Sequence, residues 1–495
     1  MNEKKNVISK IFGILFSLVL VISSIYCLYQ LIQLNVLTSK LLLLVTIIII
    51  LIYLILVLLL CFMSKGIVSK IICILLAALL SVGSGIGGYY ISKTGGALNK
   101  ITSVTKNAKN TVSILVKQSS DIKDKKSLNG FSVGYLRNIG TAGSAAMLED
   151  LNKSNIKMEQ KQYDSMTALL EAFYNGEVDS IIINESSRSQ ILDMEAYSNF
   201  DSNTRVVYQT SYKVKNNDSA TSVSDITSKP FNVLISGSDT RGGFDENGRS
   251  DVIMVATVNP KTNTILLTSV PRDFYVTTAC DAGDGCMQGA LDKITHTGMH
   301  GTNTTKRTVE QLLGIEINYT FKVGFDTVTE LVDVLGGVDV YVEPGYATTT
   351  SQFSVHEGVN HLNAEQALAY ARERYSYTEG DRQRTKNQQQ VLMGIIDKIT
   401  SPAIVTNYAS IMDSMANTFS TTMSNDEITD LIKYQLNKNP KWKMEQYMVD
   451  GTGDTLMCAE LGDAASVMVP DQSTVKKAKD KISAVLAGNS SEGVE

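Results

Sequence analysis

Arginine and aspartate concentrate in three short polar stretches of this chain. The first holds Gly237-Ser238-Asp239-Thr240-Arg241 and then Arg249-Ser250-Asp251. The second is Ser269-Val270-Pro271-Arg272-Asp273. The third is Ala371-Arg372-Glu373-Arg374, followed by Asp381-Arg382-Gln383-Arg384 and Asn387-Gln388-Gln389. A guanidinium keeps its proton in any protein setting, and its planar fork matches phosphate oxygens two at a time. Carboxylates among such arginines suit a divalent cation that also touches phosphate oxygens. Together the three stretches describe a site for a pyrophosphate with a metal.

Taken singly, each residue also has a plainer reading. Asp239 and Asp251 sit at the ends of apolar strands, where they hold either a cation or turn and cap hydrogen bonds. Arg272 follows a proline, which removes a ladder donor, at the end of the apolar strand Ile265-Leu266-Leu267. There it either reaches over the sheet edge or pairs with Asp273. Arg372 and Arg374 converge only if a helix ends between them. The following Tyr375-Ser376-Tyr377-Thr378-Glu379-Gly380 has little helical character and supports such an end. Asp381, one turn before Arg384, either orients that arginine or shares a solvated helix face with it. His296 and His300 have zinc-helix spacing, but no third ligand stands beside them and Gly298 and Gly301 interrupt the helix, which argues against zinc. No phosphate-binding Gly-x-x-x-x-Gly-Lys-Ser/Thr loop and no Gly-x-Ser-x-Gly nucleophile elbow occurs.

The elements that must carry these residues begin with a membrane anchor. No charge lies between Lys10 and Lys40, Lys40 and Lys65, or Lys70 and Lys93, and the gaps are 29, 24 and 22 residues long. About 20 apolar residues cross a bilayer, so spans are expected near 11–34, 41–63 and 71–92. The first is too long and lacks the cleavage site of a signal peptide. Lys4, Lys5 and Lys10 precede the first span and Lys65 and Lys70 separate the last two; with basic residues kept inside the cell, the chain after about residue 93 lies outside. The run Gly83-Ser84-Gly85-Ile86-Gly87-Gly88 either lets the third helix approach a neighbour or is simply tolerated in a membrane. The first 100 residues carry eight lysines against Glu3 alone, so the overall charge of −5 leaves the remainder at −12. An acidic outer part is a poor general nucleic-acid binder. Cys280 and Cys286 can close a disulfide across a flexible loop in an oxidising compartment, with Cys458 left over.

Patterning divides the chain into a membrane anchor with three transmembrane helices (1–93), a juxtamembrane stalk (94–127), a small accessory α/β domain (128–212), a linker (213–229), a larger α/β domain (230–487) and a disordered tail (488–495). In the accessory part a strand is expected over Phe131–Leu136, a helix over Ser165–Asn175 and a buried strand over Val178–Ile183. In the larger part strands are expected at Val233–Ser236, Asp251–Val258, Thr264–Ser269, Thr320–Phe325 and Val338–Val342. Asp326 is expected to cap a helix ending near Leu335, and Asn363 with Gln366 forms a capping box for Ala364–Arg372. Further helices are expected over Gln388–Ile399, Met423–Leu436 and Ser473–Leu486. The alternation argues for a sheet covered by helices.

The ordered motifs Gly237–Arg241, Arg249–Asp251 and Ser269–Asp273, with Asp292-Lys293-Ile294-Thr295-His296, Phe325-Asp326, Gly336–Val340 and Leu368–Arg372, resemble the LytR–CpsA–Psr family over about residues 230–400. Three spans followed by an accessory domain are similar to its streptococcal-type capsule members. The resemblance implies an α/β/α sandwich with a central mixed sheet. It also implies a multi-pass cell-membrane enzyme, a Mg2+-dependent phosphotransferase or cell wall ligase. Such an enzyme moves a glycopolymer, capsular or teichoic-acid-like, from polyprenyl pyrophosphate to a peptidoglycan hydroxyl through a phosphodiester. By motif, Asp239 and Asp251 would hold Mg2+ (or Mn2+). Arg249, Asp251, Arg272, Asp273, Arg372, Arg374, Asp381 and Arg384 would form the catalytic set, and Arg241, Lys293, Asn387 and Gln388 would contact substrate. Many members have arginine where this chain has Asn387. The rival readings are a non-catalytic sensor, scaffold or attenuator of capsule assembly that binds the lipid-linked polymer, and a pyrophosphatase. The accessory domain lacks the arginine–aspartate sets, and a regulatory or protein-binding role, for instance toward capsule-assembly proteins, is expected of it.

Overall fold

The computed structural model describes residues 2–59, 67–103, 107–215, 217–238, 244–281, 285–401 and 404–494. The chain divides into two compact units, one of Met1–Thr102 with Lys398–Ala416 and Ser424–Pro440, the other of Ser103–Asp397, Asn417–Met423 and Lys441–Glu495.

The first unit opens with α1 (Asn2–Leu34), α2 (Ser39–Leu58) and α3 (Ile67–Thr102). Each is long and apolar enough to cross a membrane. Small residues bring α1 and α3 together: a Cβ on Gly88 would lie 2.6 Å from the Tyr26 ring, so glycine sets the approach. Leu20, Leu56, Cys73 and Ala77 fill the contact among the three helices.

In the second unit an accessory sheet comes first. It is built from β1 (Asn107–Lys117), β2 (Ser132–Leu136), β3 (Glu159–Tyr163), β4 (Ser180–Asn184) and β5 (Thr204–Lys215), in the order β3-β2-β4-β1-β5. Helices α4 (Thr141–Lys153), α5 (Met166–Asn175), α6 (Arg188–Asp193) and the single turn α7 (Phe200–Asn203) accompany it. α5 forms because Met166, Leu169, Leu170 and Phe173 share a buried stripe, Ser165 caps its start and Gly176, at φ +79°, ends it. The expected stalk and linker need correction at this point. β1 is an interior strand: Val112, Ile114 and Val116 pack into one core and Leu115 into the other. A strand buried on both faces loses its clean alternation, and its neighbours in space are distant in sequence. β5 likewise runs through the first residues of the expected linker. The accessory domain therefore spans 107–215.

The larger sheet contains β6 (Phe231–Ser238), β7 (Ser250–Asn259) and β8 (Thr264–Ser269). A ribbon of β9 (Tyr275–Thr277) and β10 (Leu291–Lys293) follows, then α8 (Thr302–Leu313), β11 (Tyr319–Val323), α9 (Phe325–Val334) and β12 (Val338–Val342). Two short strands, β13 (Thr348–Thr349) and β14 (Ser354–Val355), precede β15 (Gly358–Leu362), α10 (Ala364–Arg372), α11 (Asp381–Ile399), α12 (Ile404–Met415), β16 (Phe419–Thr421) and α13 (Asn425–Lys438). The chain closes with β17 (Lys443–Met448), β18 (Gly451–Cys458), β19 (Asp463–Pro470) and α14 (Gln472–Leu486). The mixed sheet has the order β16-β11-β6-β7-β8-β17. α8 and α14 cover it through Val309, Leu313, Val475, Ile482 and Val485, packed on Leu234, Val255 and Leu266. α11 docks through Gln389, whose amide donates to the carbonyls of Leu267 (3.3 Å) and Tyr447 (2.8 Å).

Three local expectations also change. α9 starts after Gly324, whose amide donates to Thr327 Oγ1, so Asp326 lies in the first turn rather than at the cap; a carboxylate is favourable there too. Residues 488–494 of the expected disordered tail are ordered. Ser491 is buried, and its amide and the Ser490 hydroxyl donate to Glu445 on β17. The hairpin β18–β19 was not expected at all; Cys458, Leu461 and Val467 from it complete a core of the accessory domain. Cys280 and Cys286 form a disulfide.

α12 and α13 belong to the unit of the membrane helices. Lys93 pairs with Asp413 at 2.7 Å, and Thr102 donates to Asn425 at 2.5 Å.

Candidate active site

The polar stretches meet at one end of the larger sheet. β6 and β7 are antiparallel with Ser238 opposite Ser250, and Met254 of β7 faces Ser269 of β8. The ends of β6 and β8 and the start of β7 therefore lie together. β11 and β17, parallel to β6 and β8, finish on the same side. Carboxyl ends of such strands are where α/β sheets present ligand-binding groups.

Asp251 is the centre. Its Oδ1 accepts from Arg272 Nη1 at 3.0 Å and from Thr295 Oγ1 at 3.1 Å, and its Oδ2 lies 3.9 Å from Arg249 Nη2. Burial works against the ionised carboxylate, but Arg272, Arg249 and Arg384 outweigh it and hold Asp251 below the usual carboxylate range. Asp273 sits between Arg272 (Nε–Oδ2 3.7 Å) and Lys293 (Nζ–Oδ1 3.3 Å). Burial opposes the charge on Arg272 too, yet Asp251 and Asp273 keep its pKa above the ordinary value. Arg384, in the first turn of α11, is ion-paired with Asp381. Here the balance tips the other way. Burial lowers its pKa, the charges of Arg272 and Arg374 add to that, and Asp381 and Asp251 only partly compensate. Arginine does not give up its proton, so Arg384 is a cation whose surroundings call for another anion.

Unused hydrogen-bonding atoms mark where that anion would sit. Arg272 Nε, Arg384 Nε, Ser238 Oγ and Ser269 Oγ are buried and make no hydrogen bond among the described residues. Such orphans are rare in folded proteins unless a ligand or ion completes them. Behind them, hydroxyls of Ser236, Ser250, Thr305 and Thr297 form a chain of contacts of 2.8–3.1 Å. Gly298 is required at this point, because a Cβ there would lie 2.5 Å from Ser250 Oγ.

The remaining expected residues are placed unevenly. α10 ends at Arg372, and Glu373 after it is extended, so the helix does stop between the two arginines. Arg374 faces Arg384 electrostatically and stacks on Tyr375 with 4.7 Å to the ring centre. Arg372 stacks on Phe325 at the same distance, just beyond the end of β11. Gln388 shares the α11 face of Arg384, one turn on. Asn387 needs correction: it is 0 % exposed, its amide donates to the Tyr370 carbonyl and its oxygen accepts from Gln383. It locks α10 against α11 and does not face a substrate. Asp239 and Arg241 lie outside the described residues. His296 and His300 point to separate partners, Asp292 at 2.8 Å and Glu460 at 2.7 Å.

One participant, Asp193, lies outside the expected set. Arg249, whose side chain is 8 % exposed, is ion-paired with Asp193, the last residue of α6 in the accessory domain. No local signal in Arg188–Asp193 announces this, since the contact joins residues 56 apart. Thr295 was within a recognised motif but carried no assigned role.

Among the described residues no cluster of three or more His, Cys, Asp or Glu side chains could hold a metal ion. Asp251 nonetheless fits one ligand position. It is held ionised, and its Oδ2 accepts no hydrogen bond among the described residues.

A family model described as the LytR_cpsA_psr family matches residues 196–484. The chain is 34 % identical over 225 residues to the polyisoprenyl-teichoic acid–peptidoglycan teichoic acid transferase TagU of Bacillus subtilis (strain 168), covering 45 % of this chain and 69 % of that protein. It is 32 % identical over 241 residues to the protein of the same name from Bacillus cereus (strain AH820), covering 48 % and 76 %. The crystal structure of B. subtilis TagU aligns with a TM-score of 0.40 at 30 % identity, over 52 % of this chain and 97 % of that one. With the family match running over more than half of its length, the chain belongs to the LytR–CpsA–Psr family.

Proposed function

We infer that this protein transfers a lipid-linked wall glycopolymer from polyprenyl pyrophosphate to peptidoglycan, leaving a phosphodiester between the two. The family membership and the transferase names of the relatives support the reaction class. The observation that carries the site is the convergence of Arg249, Arg272 and Arg384 on an ionised Asp251, with two guanidinium Nε atoms making no hydrogen bond among the described residues. Phosphoryl transfer demands little of a protein beyond positioning and charge stabilisation, and this cluster supplies both.

The acceptor hydroxyl oxygen attacks the phosphorus that carries the polymer. A new P–O bond forms, the bond to the bridging oxygen breaks, and polyprenyl phosphate leaves with the electron pair. Arg384 and Arg272 meet the developing charge. The hydroxyl proton must pass to a base. Asp251 is a poor base, because three arginines hold its charge. Asp273 and Asp381, 31 % and 27 % exposed, are better placed. Mg2+, or Mn2+ in its place, would be held by Asp251 with Asp239 and would neutralise part of the pyrophosphate charge. The basic residues around the spans support a position outside the cell for the domains after α3, where peptidoglycan is.

The test uses the full chain in detergent micelles with a polyprenyl pyrophosphate-linked glycan and a peptidoglycan fragment. Phosphodiester-linked product is expected, with Arg272→Ala reducing its rate about 100-fold or more. Free polymer phosphate would instead mark a pyrophosphatase, and binding without turnover a scaffold. Chelation is expected to stop turnover and Mg2+ or Mn2+ to restore it; turnover indifferent to chelator rejects the metal.

A further inference from the structure

The accessory sheet has a switch point of its own. The chain leaves β2 for β3 on one side and returns to β4 on the other, and β2 is parallel to both. The crevice beyond the carboxyl ends of β2 and β4 is the place where sheets of this kind take ligands. A cavity of about 150 Å³ opens there, its walls including Thr141, Ala142, Ser186, Ser187, Lys213 and Lys215.

Its polar groups are unspent and nearly all of one sign. α4 begins at Gly140, which has φ +61° and no side chain to cap the helix. The amides of Gly143 and Ser144 turn back to the Gly140 carbonyl, whereas those of Thr141 and Ala142 have no acceptor among the described residues. They add to the positive end of the α4 dipole. Ser187 is 7 % exposed, and its hydroxyl has no partner among the described residues although it lines the cavity. Lys213 and Lys215 are exposed and form no ion pair among the described residues. The one carboxylate on the wall, Glu460, is held by His300 at 2.7 Å. The floor is fitted closely: a methyl group on Gly140 or Gly143 would collide with the Asn184 amide, which donates to the Gly140 carbonyl.

We propose that this crevice binds the phosphate group of a small solute, either inorganic phosphate or a sugar phosphate. Two ammonium groups, two free amides and a free hydroxyl suit a dianion better than a carboxylate, and the volume admits a phosphate with a compact polar body. The site is separate from the arginine cluster and contains no arginine.

The test is isothermal titration of the full chain in detergent micelles at constant ionic strength. Arg384→Ala serves as the parent, so that the arginine cluster is weakened. Inorganic phosphate, glucose 1-phosphate and acetate are the probes. Saturable phosphate binding is expected, weakened at least tenfold by the pair Lys213→Ala/Lys215→Ala and severalfold by Ser187→Ala. Both lysines are exposed, so the double variant keeps the fold, and unchanged melting confirms this. Tighter binding of glucose 1-phosphate than of phosphate identifies a sugar-phosphate site, and equal binding a phosphate site. Absence of saturable binding by either phosphate, phosphate binding that the lysine pair leaves within a factor of two, or acetate binding as tightly as phosphate overturns the proposal.

Discussion

Asp193→Asn is expected to slow polymer transfer about tenfold, although Asp193 lies in the accessory domain. Arg249 is almost fully buried, at 8 % side-chain exposure, and Asp193 from α6 is one of its acidic partners, beside Asp251. Unit charges about 4 Å apart attract by about 4 kcal/mol at an effective dielectric of 20. Asp193 is 53 % exposed, so solvent screening reduces this to about 1–2 kcal/mol. Released from that partner, Arg249 samples other rotamers and meets the pyrophosphate less often; 1.4 kcal/mol corresponds to about tenfold in rate. The assay is the initial rate of phosphodiester formation in a double-mutant cycle with Arg249→Ala. Asp193→Asn should have almost no further effect once Arg249 is gone, and raising salt should shrink the wild-type advantage. If the two effects simply add, or if Asp193→Asn transfers polymer as fast as wild type, Asp193 does not position Arg249 and the reasoning fails.

Two further outcomes follow from buried polar groups. Burial works to raise the Glu445 pKa, but bonds from Ser491, Lys443 and Ser490 bring it down to about 2, against an ordinary 4.5. Its contribution, about 3 kcal/mol at most, is therefore complete above about pH 4.5 and lost as pH falls toward about 2. Glu445→Gln should lower the Tm at neutral pH and flatten the acid limb of the Tm–pH curve; an unchanged acid limb would disprove the linkage. Asn387→Ala should cost about 1–3 kcal/mol of stability by orphaning the Tyr370 carbonyl while leaving prenyl pyrophosphate affinity intact. A tenfold affinity loss at unchanged Tm would return Asn387 to the substrate.

Elements defined by local chemistry were readable in the sequence. The strand Thr264–Ser269, the strand Val338–Val342 and the Asn363–Gln366 capping box of α10 lie where periodicity and cap residues put them. Elements defined by distant partners were not. β1 looks like a polar stalk until β4 and β5 flank it, and β18–β19 takes its buried positions from two cores distant in sequence, Val467 in that of the accessory domain and Met468 in that of the larger sheet. The arginine–aspartate stretches were legible as a phosphate-binding set because residue type alone dictates that chemistry. Which arginines share a carboxylate was not, since it depends on strands folding Asp251 between Arg249 and Arg272. Asn387 illustrates the converse: a polar residue inside a charged motif is spent on backbone that the motif itself does not reveal.

The hairpin β18–β19 carries a practical consequence. Cys458, Leu461 and Val467 are buried in a core they share with α5 and its sheet. Cutting away residues 107–215 would strip that cover and present a greasy scar to solvent. A truncated protein that loses activity would thus report a broken scaffold, and the two domains should melt in a single transition.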